Sequence, residues 1–330
     1  MVSAERATKA ATPESGGAPE RSPCERGRAP VHVPVLPDEV LHALGGERPA
    51  EREGWIVDAT CGAGGHAGLI LARMPRVSLL GLDQDPCALA EARRSLAPYG
   101  ERVRLRHGRL SQLARRVRKE RIGRPVGVLL DLGVCSLHLD RPERGFSFQD
   151  DGPLDMRMDP TRERTAADVV NTWDEGDLAD LLFYEGDEAR ARKIARALVE
   201  ARRRAPFLRT AALADAVAQA VGRGGGRIHP ATRTFQALRR AVNEEGEELR
   251  SGLASAEHWL ADGGRLAVIS FHSGEDREVK RFLAGGARAG RWETLTKKPV
   301  APGPEERRAN RRARSARLRA AERRRAWGTP

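Results

Sequence analysis

Trp55-Ile56-Val57-Asp58-Ala59-Thr60-Cys61-Gly62-Ala63-Gly64-Gly65-His66 is a short apolar run that ends in an acid and then breaks into glycines. Leu69, Ile70 and Ala72 continue beyond the glycines at helical spacing, so the stretch reads as strand, turn, helix. Glycines let a backbone approach a ligand closely, and the following helix start offers unpaired N–H groups. Gly62-x-Gly64-x-x-Ala67 satisfies a loose dinucleotide fingerprint, with Asp83 about 20 residues on to hold a ribose. Asp58 argues against a pyrophosphate, because a carboxylate just before the glycines would repel it. It suits a ligand that carries an ammonium and a sulfonium, as S-adenosyl-L-methionine does.

Outward from this turn the pattern repeats. Residues 77–83, 103–106 and 126–131 are further apolar runs, with a helix expected over 86–96. Strands alternating with helices imply an α/β fold with a mostly parallel central sheet, whose ligands bind at the carboxyl ends of the strands. Those ends carry Asp58, Asp83 and Asp131. Asp83 is placed to accept ribose hydroxyls, and Asp85 to cap the next helix. Asp131 is placed to accept an N–H from an amino group and so aim its lone pair at a methyl donor.

From residue 141 to about 228 the strands stop and helices are expected over 175–184, 188–203 and 210–221. The alternation then resumes. Phe235, Leu238, Val242, Leu249, Leu253, Ala256 and Leu260 share one helical face and predict a single long helix. A strand is expected over 265–270 and a weaker one over 292–295. Residues 1–30, rich in Ala, Pro, Gly, Ser, Glu and Arg, read as a disordered extension. The expected organisation is therefore a cofactor-binding domain made of 31–140 and 229–330, with a helical domain, 141–228, inserted as the part that recognises RNA.

The net charge of +12 and a pI near 10.4 call for a polyanionic partner, since neutralised phosphates release counterions. Lys193, Arg196, Arg202, Arg203 and Arg204 on one inserted helix, and ten Arg with three Glu over 305–325, are the expected RNA contacts. Arg157, Asp155 and Asp159 read either as a local ion-pair loop or as RNA-facing groups. His272 reads either as substrate-orienting or as satisfied by backbone. The cysteines form no C-x-x-C pair, so no zinc knuckle and no metal is expected. There is no apolar run long enough for a bilayer and no signal-peptide pattern, which points to the cytoplasm. A homodimer is left open.

The strings Asp131-Leu132-Gly133-Val134, Arg144-Gly145-Phe146-Ser147-Phe148 and Pro153-Leu154-Asp155-Met156-Arg157-Met158-Asp159 resemble those of the RsmH (MraW) family. So do His229-Pro230-Ala231-Thr232-Arg233-Thr234-Phe235-Gln236, Ser270-Phe271-His272-Ser273 and Asn310-Arg311-Arg312-Ala313-Arg314-Ser315. The resemblance spans roughly residues 31–324. It implies a Rossmann-like class I methyltransferase with a helical insertion after the fourth strand. It further implies methylation of N4 of a cytidine in the decoding region of 16S rRNA, with the small ribosomal subunit as partner. Cofactor contacts would fall on Gly64, Gly65, His66, Asp83 and Asp131, with Asp131 also catalytic. An aromatic and an amide contact of the family would fall on Leu110 and His138, which depart from the pattern, as do Cys61, Cys135 and Gly274. Two rival readings are an NAD-dependent oxidoreductase and a ribosome-assembly factor without turnover.

Overall fold

The computed structural model describes residues 34–222 and 229–324; the expected N-terminal extension lies outside them. In chain order the elements are α1 (Pro37–Gly45), β1 (Gly54–Asp58), α2 (Gly65–Arg73), β2 (Val77–Asp83), α3 (Pro86–Ser95), β3 (Val103–His107), α4 (Leu113–Glu120) and β4 (Gly127–Asp131). Then follow α5 (Ser136–Leu139), α6 (Ala166–Thr172), α7 (Glu175–Tyr184), α8 (Ala191–Arg202), α9 (Thr210–Val221), α10 (Thr232–Asn243) and α11 (Glu245–Trp259). The described chain closes with β5 (Arg265–Ser270), α12 (Ser273–Arg288), β6 (Trp292–Thr294), α13 (Pro304–Ala309) and β7 (Arg317–Arg323).

The seven strands form one sheet in the order β3-β2-β1-β4-β5-β7-β6. The first five run parallel and β7 is antiparallel to both neighbours. The strand order reverses between β1 and β4, the place where a doubly wound sheet opens a crevice at its carboxyl edge. Helices cover both faces, so strands such as Gly127–Asp131 are buried almost throughout and read as unbroken apolar runs. One apolar layer joins α1, α2 and α3 to Ile56, Leu79, Leu129 and Ile269. The opposite layer joins α4, α11 and α12 to Val57, Leu80, Val128 and Val268.

A third cluster holds α6, α7, α8 and α9 together with Phe146, Leu154, Met156 and Met158. α10 belongs to it through Phe235, Leu238 and Val242. The single helix expected from residue 235 onward is thus two helices. Glu244 adopts a left-handed conformation (φ 54°) that turns the chain between α10 and α11. Every apolar residue of the expected face is nonetheless buried, divided between two cores.

The expected basic tail is also different. β7 lies between β5 and β6, and Arg319 is buried with its guanidinium on Asp276 of α12, Nε to Oδ1 at 2.7 Å. Arg317 pairs with the same acid at 3.3 Å. Arg265 and Arg323, the latter on β7, pair with Glu322 and Asp262. Three of the ten arginines, Arg317, Arg319 and Arg323, are therefore in the sheet rather than on a free arm. Arg202 is likewise committed, donating to the Val170 carbonyl at 2.6 Å, while Lys193, Arg203 and Arg204 are exposed.

Candidate active site

The glycine turn after β1 is shaped by its own backbone. Gly64 has φ 89°, and a Cβ there would stand 2.9 Å from Ser95 Oγ and 3.1 Å from Leu96, so only glycine starts α2 in this way. The Gly62 N–H donates to Asp83 Oδ2 at 2.7 Å, and the Asp85 N–H donates to Asp83 Oδ1 at 2.8 Å. Asp83 is thereby locked at the end of β2, with lone pairs left for a ligand. Burial raises its pKa, against the lowering effect of those two backbone bonds.

Asp58 is 1% exposed. Burial pushes its pKa up to about 7; the Thr60 N–H opposes this and the neighbouring Asp83 adds to it. Asp131, at the end of β4, donates its N–H to Thr60 Oγ1 at 2.6 Å, which fixes the two strand ends against one another. Burial, then Asp58 and Glu275, hold the Asp131 carboxyl well above the usual carboxylate range. Its Oδ2 lies 3.6 Å from His66 Nε2, and its buried Oδ1 has no hydrogen-bond partner among the described residues.

Asp85 caps α3, accepting from the Cys87 N–H at 2.8 Å, as expected. Its other oxygen takes His138 Nε2 and Arg144 Nη1, each at 2.9 Å. Burial would raise the Asp85 pKa, but these partners outweigh it and bring it down to about 2. Burial would lower the His138 pKa, but the Cys135 thiol and Asp85 outweigh it and raise it to about 9. His138 also stacks on Phe146 with centroids 4.8 Å apart. Both its nitrogens face protein partners, Asp85 and Cys135, so it offers a ligand its ring rather than the hydrogen bond expected of it.

These groups surround one cavity of about 570 Å³ at the carboxyl edge of the sheet. Gly65, His66, Asp83, Leu110, Asp131 and His138 line it; Gly64 shapes the turn without lining it. Leu110 sits against α11, where a Cβ on Gly252 would come within 3.1 Å of it. Sequence reasoning missed Arg239, Asn243 and Glu245 from the α10–α11 joint, and Phe271 and Glu275 beside β5, all of which line the same cavity. It also missed Ala309, Asn310 and Arg312, which close one rim, with Arg312 on Asp140 at 3.0 Å. Each lies far in sequence from the glycine turn; Phe271, Asn310 and Arg312 stand within the strings that carry the family resemblance, but nothing local tied them to this cavity.

Two open readings resolve here. His272 caps α12, accepting at Nδ1 from the Gly274 and Glu275 N–H groups, with Nε2 on Glu275 at 3.0 Å. Arg157 forks onto Asp155 at 2.7 Å and donates to the Arg162 carbonyl, a local ion-pair loop, whereas Asp159 turns to Thr161 and His107. Glu245, His272 and Glu275 come within 4.8 Å of one another, a spacing that suits a metal. Arg239 already places its guanidinium on Glu245, so the cluster's charge is balanced from within.

A family model described as the MraW methylase family matches residues 29–324. The chain belongs to that family. The ribosomal RNA small subunit methyltransferase H of Synechococcus elongatus is 49% identical over 294 residues, 88% of this chain and 94% of that protein. A protein of the same name from a Methylobacterium species is 48% identical over 311 residues, 88% of this chain and 90% of that one. A crystallised rRNA methylase from Streptococcus thermophilus is 12% identical, with a TM-score of 0.40 over 87% of this chain and 93% of its own. That likeness adds nothing to the fold traced above. This MraW-family methylase is a methyltransferase, and its methyl donor is S-adenosyl-L-methionine; the oxidoreductase reading is set aside. The donor set fits the cofactor: three strand-end carboxyls converge on the cavity, and a buried acidic cluster is relieved by a ligand bearing positive charge. No helix among the described residues is long and apolar enough to cross a membrane.

Proposed function

We propose that this MraW-family protein methylates N4 of a cytidine in the decoding region of 16S rRNA, acting in the cytoplasm on the small ribosomal subunit. The observation that carries the reading is Asp131. Its Oδ1 is buried, has no hydrogen-bond partner among the described residues and stands where the sheet's strand order reverses, in a cavity lined also by the glycine turn and Phe271. S-adenosyl-L-methionine supplies an electrophilic methyl group when bound. Gly65 and His66 flank its methionine part, Asp83 accepts from its ribose, and Leu110 packs on its base. Asp131 accepts an N–H of the target amine and holds the nitrogen lone pair in line. Catalysis is then mostly positioning, and the proton leaves after transfer. The target base must be turned out of its stack to reach the cavity.

The curated relatives carry a ribosomal RNA small subunit name, which supports the substrate. The helical cluster of α6–α10 stands as the RNA-recognition part, with Lys193, Arg203 and Arg204 on its surface. Nucleoside mass spectrometry of small-subunit rRNA from cells with and without the gene tests the reading. N4-methylcytidine should vanish with the gene and return with the wild-type copy but not with Asp131→Asn. An unchanged nucleoside profile would refute the proposed reaction.

A further inference from the structure

Of the cationic side chains on the cavity wall, most are already engaged. Arg109 is spent on Asn243 O, Glu244 and Glu248, and Arg312 sits on Asp140 at the rim. His138 is held by Asp85. Arg239 differs. Its Nε and Nη2 fork onto the two oxygens of Glu245 at 2.7 and 2.8 Å, but Nη1 takes no hydrogen bond among the described residues. The fork is possible because Glu244 turns the chain left-handed, bringing the first residue of α11 back over α10. The guanidinium is thus fixed in orientation and only 17% exposed. Glu275, which accepts from the Phe271 N–H at 2.8 Å, is close enough to act electrostatically on both Arg239 and Asp131, and all four line the cavity.

We infer that Arg239 reads the acceptor edge of the methylated base, with Glu245 as its positioning residue. The inference rests on the cytidine reading above. Cytosine presents an amine at C4 followed by two acceptors, N3 and O2. Asp131 meets the amine, and a fixed N–H on the same cavity wall meets N3. Phe271 supplies a flat apolar face. Uracil reverses both polar positions, setting a carbonyl against Asp131 and an N–H against Arg239. A site built this way rejects the wrong base through two unpaired buried groups rather than through shape. An ion-paired arginine keeps its charge, and its planar fork gives up little freedom when it meets the base, which a lysine could not match.

The test uses the full chain and small subunits reconstituted with either cytidine or 3-deazacytidine at the target. On cytidine, Arg239→Gln should lower kcat/KM by about ten- to a hundredfold, the cost of one charged hydrogen bond, while titration shows unchanged S-adenosylmethionine affinity. On 3-deazacytidine, which lacks the N3 acceptor, wild type and variant should differ by less than about twofold. Comparing variant with wild type on each substrate cancels the altered reactivity of the analogue's amine. Equal losses on both substrates would overturn the inference while leaving the N4 reaction standing. Failure of the wild type on cytidine subunits would overturn that reading and this inference with it. Arg239→Lys carries the same comparison should the Gln variant not fold.

Discussion

Asp83 and Asp131 end neighbouring parts of one sheet, yet their surroundings separate them. Asp83 has both oxygens bound by backbone N–H groups, whereas one oxygen of Asp131 has no hydrogen-bond partner among the described residues. Asp83→Ala should weaken S-adenosylmethionine binding by about ten- to a hundredfold. Asp131→Asn should lower turnover by a larger factor than it lowers cofactor affinity. Calorimetric titration beside single-turnover methylation separates the two, and equal losses at Asp131 would make it a cofactor ligand only. His138 predicts a pH effect. Its folded pKa is raised to about 9 from an ordinary value near 6.5. Its contribution is therefore whole below about 6.5 and is lost as pH climbs through about 9. Asp85, lowered to about 2, contributes above about 3.8 and loses its share as pH falls through about 2. His138→Gln should flatten the alkaline limb of a Tm-versus-pH curve and cost on the order of 1–3 kcal/mol near pH 6. An identical alkaline limb would show that the imidazolium adds no stability.

At the scale of elements, what the sequence announced depended on how each element is buried. β1, β2 and β4 are covered on both faces, so their apolar runs stand out, and their terminal acids mark the carboxyl edge. β7 was hidden. Its inward positions are Leu318, Ala320 and Ala321, and one of its arginines is buried, so the strand wears the composition of a solvated arm. The α10–α11 break was hidden for another reason. The apolar spacing continues in step across Glu244, and only the backbone reveals that its two halves face different cores. Arg239, Asn243 and Glu245, which line the cavity, arrive at this break, which is why they escaped sequence reasoning. The buried Arg319–Asp276 pair gives a test. Arg319→Met alone should cost about 3–5 kcal/mol by leaving the buried acid with only the longer Arg317 contact, while adding Asp276→Leu should recover most of the loss. Urea denaturation of the three proteins checks it; a single variant as stable as wild type would mean that Arg317 alone satisfies the acid.

Across the whole molecule the charge is uneven in use as well as in number. A surplus of +12 is large, but many arginines are spent on carbonyls and carboxylates within the fold, among them Arg52, Arg102, Arg202 and Arg319. Fewer side chains are therefore free to meet phosphates than the count suggests. Replacing Arg203 and Arg204 by Ser should reduce the salt slope of single-stranded RNA binding by about 0.7 for each phosphate no longer neutralised, without touching cofactor affinity. A slope unmoved in fluorescence anisotropy across a salt series would show those two side chains to be merely solvated.

The place of β7 has a consequence for how the chain is made. β5 is translated well before β7 and must wait beside an open edge, and β6 has no strand to pair with until β7 slides between them. On the ribosome, then, the nascent sheet stays at five of its seven strands while the Arg-rich segment is still in the exit tunnel. Quality control would meet an incomplete product as a protein with a bare, apolar sheet margin, and the arginines that might have been taken for an appendage act as the seam that finishes the fold.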